Sequence, residues 1–151
     1  MRDNTWLENQ MYQLWEEHFA DVPRKNIVMI KFGKRSKRQL GCIKWIKKPT
    51  KSMNAFIQTQ PKADDPRVSL INITGYFKDT TILDAVVLGT IAHEMCHYAH
   101  GFHSPLQQLY KHPHKGGVIR KEMYARGLKD IYQTAKRWLK ENWKDYLIRQ
   151  K

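Results

Sequence analysis

Cysteine is scarce, long apolar runs are missing, and one long stretch of the chain has no acidic residue. Two cysteines in 151 residues, Cys42 and Cys96, cannot build a disulfide framework. That excludes the small stapled secreted domains and makes a reducing, cytoplasmic compartment the expectation. The run Ala85 to Leu88 stops at Gly89-Thr90, far short of the roughly 20 apolar residues of a membrane span, so no membrane is expected among the partners. The first residues, Met1-Arg2-Asp3-Asn4-Thr5-Trp6, lack the basic-then-apolar order of a secretory signal. There is no internal repeat and no low-complexity segment. What is present is 41% hydrophobic and 11% aromatic residues, five of them Trp, which argues against wholesale disorder. A chain of this length buries about 70% of its unfolded surface and needs no staple. A single domain over 1–151 is expected, with a core over about 22–128 and a C-terminal helical extension over 129–151.

The missing acids give the charge a location. The chain holds 27 Lys+Arg and 14 Asp+Glu, but Val22 to Ala63 carries twelve basic residues and no acidic one. The excess therefore belongs to segment 22–63, which reads as a surface facing a polyanion such as DNA, with Lys34, Arg35, Lys37 and Arg38 as candidate contacts. The competing reading is a solvated face whose lysines protect strand edges.

Periodicity supplies the elements. Leu7, Met11, Leu14, Trp15 and Phe19 recur at helical steps over Thr5 to Ala20, with Asp3 or Asn4 as N-cap and Pro23 as stop. Ile27–Phe32, Gln39–Lys47, Ala55–Thr59 and Val68–Ile73 read as strands. Thr81-x-x-Asp84 resembles a capping box, which starts a second helix near Asp79 to Thr81 that ends near Gly101. Phe102 to Gly117 reads as loop, with a helical turn at Leu106 to Tyr110. Ile119 onward is helical, with a break at Gly127. The Trp and Lys residues of the last helix read best as tryptophans packed on the domain and lysines left in water. The fold class is α+β, a small, mostly antiparallel sheet packed against helices.

The chemistry concentrates in His93-Glu94-Met95-Cys96-His97. Four residues along a helix turn 400°, so the two imidazoles share one face about 6 Å apart along the axis. They can reach one Zn²⁺ at about 2.0–2.1 Å. Glu94 lies about 100° around, on the flank of that face. There its carboxylate can take a proton from a water acidified by zinc, the arrangement of a metal-dependent peptidase. Cys96, between the ligands, reads as a small packing residue. A catalytic zinc needs a third protein ligand and an open position. His103, six residues after His97, His114, seventeen after, and its neighbour His112 are all candidates on spacing alone.

Leu70-Ile71-Asn72-Ile73 followed by Thr90-Ile91-Ala92-His93-Glu94-Met95-Cys96-His97 resembles the core of the SprT-like zinc metalloproteases, the Spartan type. His114-Lys115-Gly116-Gly117, Met123 and Gly127-Leu128 follow that family's order. The resemblance covers roughly Leu40 to Leu128 and implies a zincin-like core, a metallopeptidase acting on proteins near DNA, and His93, His97 and His114 as zinc ligands with Glu94 as catalytic base. Strand Val68–Ile73 is then expected to pair with an extended substrate by β-augmentation. The alternative is a nucleic-acid-binding module with a structural or vestigial zinc, closed by four protein ligands.

Overall fold

A computed structural model describes residues 1–151. Helix α1 (Asn4–His18) is capped by Asp3, whose carboxylate accepts the Trp6 N–H at 2.8 Å, and it buries Leu7, Met11, Leu14 and Trp15. Strands β1 (Val28–Phe32) and β2 (Gly41–Trp45) follow, then helix α2 (Lys51–Thr59) and strand β3 (Ser69–Ile73). Helices α3 (Asp84–Ala99), α4 (Val118–Ala125) and α5 (Lys129–Arg149) complete the chain, with single 3₁₀ turns at Gly75–Lys78 and Lys115–Gly117. No helix is long and apolar enough to cross a membrane.

The class is α+β, but the sheet is mixed rather than mostly antiparallel. Its order is β1-β3-β2, with β3 parallel to β1 and antiparallel to β2. The cause lies in β3, whose Leu70 and Ile71 are buried on opposite faces. A strand buried on both sides belongs in the middle, so β3 inserts between β1 and β2. Both main-chain edges of β3 are thereby occupied, and the expected pairing of Val68–Ile73 with a substrate strand is overturned.

Segment Ala55–Thr59 is helical, not a strand. Thr50 accepts the Met53 N–H at 3.2 Å and caps α2, and Met53, Phe56 and Ile57 fall at the i, i+3, i+4 spacing of one helix face. Helix α3 starts at Asp84, later than the capping-box pattern implied. Asp79 instead accepts the Thr81 N–H and hydroxyl at 2.9 and 2.8 Å, and Thr81 caps nothing. Leu106–Tyr110 forms no helical turn.

One core cluster of 25 residues runs from Leu7 to Tyr146. Helix α5 packs along α3, and its Trp143 lies edge-on to Tyr76 and Phe77 and stacks on Tyr146. The tryptophans therefore do pack on the domain, and Lys136, Lys140 and Lys144 stay exposed.

Candidate metal centre

His93 and His97 stand one turn apart on α3, and His114 ends the loop that returns from it. His114 Nε2 lies 3.2 Å from His93 Nε2 and 3.0 Å from His97 Nε2. Ligand atoms bonded to one ion at 2.0–2.1 Å in tetrahedral geometry are about 3.3 Å apart, so the His114 nitrogen sits near coordination spacing from each of the other two. All three fall within 4.8 Å of one another, and together they can hold a metal ion. Hydrogen bonding suits them less well. One ring nitrogen carries either a proton or a lone pair, and cannot serve two neighbours properly.

Electrostatics favour neutral ligands. Burial pushes the His93 imidazole down to about 4, with His114 adding to it. Burial, then His93 and His114, push His97 down to about 3. His97 Nδ1 is buried without a hydrogen-bond partner, so the ring is oriented by packing, edge-on to Phe102 at 6.0 Å between centroids. His97 is buried, His93 half-buried and His114 exposed, so the site opens on the His114 side.

The return of the loop has a local cause. Gly101 takes φ +85°, and a Cβ there would lie 2.5 Å from the Gln107 carbonyl oxygen. Behind this turn the Ser104 hydroxyl donates to the Tyr98 carbonyl at 2.8 Å and the Leu109 N–H to the His100 carbonyl at 3.0 Å. These ties pin the loop to the end of α3 before it reaches His114. The other histidines point elsewhere. His103 is exposed and lines a separate cavity with Lys31 and Lys44, and its carbonyl accepts the Ser69 hydroxyl at 2.7 Å. His112 is exposed outside the cluster. His100 is buried, with Nε2 2.7 Å from Glu122 Oε1, and joins α3 to α4.

Glu94 is buried and lines the same cavity of about 510 Å³ as His93 and His114. Burial pushes its carboxyl up to about 8. Gly41 of β2 packs against it: a Cβ there would be 3.3 Å from Glu94 Oε2 and 2.8 Å from Thr90 Cγ2. Cys96 is fully buried in the core, and burial holds its thiol far above the usual range.

The four candidate basic residues all lie exposed in the loop between β1 and β2. Arg38 lines the metal-site cavity. Lys34 lines another with Lys31 and Lys44. Arg35 lies over the Tyr76 ring at 5.7 Å, and the Lys37 carbonyl accepts the Trp143 indole N–H at 3.0 Å.

Sequence reasoning missed Gly41 and the α5 residues Tyr132, Lys136 and Leu139, which complete the cavity. A glycine inside a strand pattern signals close approach of a neighbour, so Gly41 could have been found. The α5 residues carry no local signal. Compared with protein-family models, curated proteins and solved structures, the chain matches none.

Proposed function

We propose that the chain is a zinc-dependent metallopeptidase of SprT-like type that acts on proteins at or near DNA. The observation that carries this reading is the convergence of three histidine Nε2 atoms, with the Glu94 carboxylate in the same open cavity. Zinc held by His93, His97 and His114 would supply Lewis-acid chemistry, polarising a substrate carbonyl and acidifying a water. Glu94 takes the proton from the attacking water and returns it to the leaving amine.

The substrate backbone has a partner in β2. The Thr74 N–H donates to the Leu40 carbonyl and the Ile46 N–H to the Val68 carbonyl. The main-chain groups of Gly41 and Ile43, at the alternate positions, therefore face away from β3. A peptide added on that edge would run beside Glu94 through main-chain hydrogen bonds and few side-chain demands.

A structural zinc in a nucleic-acid-binding module calls for a fourth protein ligand. No other His, Cys, Asp or Glu joins the cluster, which favours the peptidase. The test is Glu94→Gln. Zinc affinity should be unchanged, and cleavage of a disordered protein such as casein should fall about 10²–10⁴-fold; undiminished cleavage rules the mechanism out. For DNA, neutralising Lys34, Arg35, Lys37 and Arg38 together should flatten the salt dependence, by about 0.9 in slope for each phosphate no longer neutralised. Oligonucleotide titrations across salt read this directly, and an unaltered slope removes the loop from the interface.

A further inference from the structure

The metal-site cavity does not end at the histidines. It continues to α5, where Leu40, Tyr132 and Leu139 wall it and Met123 closes the inner side. Leu40, Tyr132 and Leu139 are half-buried, so they keep apolar surface turned to the opening. Arg38 from the β1–β2 loop and Lys136 from α5 also line it. Both are exposed, neither belongs to an ion pair, and Lys136 Nζ lies 5.9 Å over the Tyr132 ring. Glu94 is the only acidic side chain on the lining. An apolar wall with two cations free of ion pairs beside it, next to the three-histidine site, suits an apolar group followed by a carboxylate.

We infer that this extension is a specificity subsite, in which the apolar wall takes a bulky apolar residue beside the cleaved bond and Arg38 and Lys136 take a carboxylate one residue further on. The inference rests on the reading of the cavity as a peptide site and adds a role for α5, whose Tyr132, Lys136 and Leu139 become specificity-determining. The carboxylate has two possible sources, an Asp or Glu side chain or the free C-terminus of the peptide.

The test uses the full chain and four fluorescent peptides that share one frame. The first has Leu-Asp at the two positions, the second Leu-Asn, the third Ser-Asp, all with amidated ends, and the fourth ends in a free carboxylate directly after Leu. Anisotropy with the zinc-free chain reads binding without cleavage. The Leu-Asp peptide should bind at least fivefold tighter than Leu-Asn and than Ser-Asp. The free-ended peptide, if it binds as well as or better than Leu-Asp, assigns the carboxylate to a chain terminus, and otherwise to a side chain. Lys136→Glu, a surface change on α5, should erase or invert the Asp advantage, and Leu139→Gln should erase the Leu advantage. An identical ranking of the peptides by wild type and both variants overturns the subsite. The zinc-loaded chain then separates the two readings: ranking without cleavage defeats the peptidase alone, and cleavage without ranking defeats the subsite alone.

Discussion

Gly41 gives Glu94 its room. A methyl at that position would press on Thr90 Cγ2 at 2.8 Å, and Thr90 cannot swing aside freely, because its hydroxyl donates to the Val86 carbonyl at 2.9 Å. Gly41→Ala should therefore cost roughly 1–3 kcal/mol of stability by overpacking and misplace the carboxylate. Misplacement by about 1 Å can cost 10²-fold in rate, so cleavage should drop far more than zinc affinity, and assaying both on one preparation checks the split. At this scale the sequence was informative for a definite reason. His93, Glu94 and His97 lie within five residues of one helix, where the backbone repeat alone sets their relative directions. His114 is separated from them by a loop, and its direction depends on the left-handed turn at Gly101 and the ties behind it. Spacing left His103 and His112 open for that reason.

Among the elements, α1, α4 and α5 were legible because each repeats an apolar stripe over two or more turns, and α3 because it is apolar on nearly every face. Helix α2 was not. Its Ala55-Phe56-Ile57 is rich in strand-forming types, and only the Thr50 cap and the spacing of Met53, Phe56 and Ile57 mark it as helical. The mixed sheet was hidden for another reason: strand order follows from which strand is buried on both faces, a property of the assembled layers. Helix α5 is held near its end by Asp79, which accepts the Tyr146 hydroxyl at 2.8 Å. The Thr81 N–H first, then the Tyr146 hydroxyl, hold the Asp79 carboxyl below the usual aspartate range. A depressed folded value means stabilisation that is complete above the ordinary aspartate value of about 3.9 and is lost as pH falls through the folded value. Asp79→Asn should cost about 1 kcal/mol at neutral pH and flatten the acid limb of the stability curve below about pH 4. Denaturant titrations at pH 7 and pH 3 measure both.

For the whole molecule, one core joins α1 through Leu7 to α5 through Tyr146, and polar links reinforce it. Arg2, buried near the start of the chain, donates to the carbonyls of Phe77 and Ile82 at 3.0 and 2.6 Å. Arg126 joins the Asp21 carboxylate at 2.7 Å and the Glu122 carboxylate at 2.8 Å, with Glu122 in turn bound to His100. The three-histidine cluster is thus mounted on a helix braced from both ends of the chain. The excess charge was legible as a segment: loop 33–40 leaves Lys34, Arg35, Lys37 and Arg38 exposed, and of these four Arg38 lines the cavity beside the three histidines.

The most direct measurement is a calorimetric titration of zinc into the metal-free wild type and its single variants His114→Ala and His103→Ala. Zinc held by His93, His97 and His114 requires one zinc per chain for the wild type, affinity weakened by at least tenfold in His114→Ala, and wild-type affinity in His103→Ala. Wild-type affinity in His114→Ala, or an equal loss in His103→Ala, would contradict it.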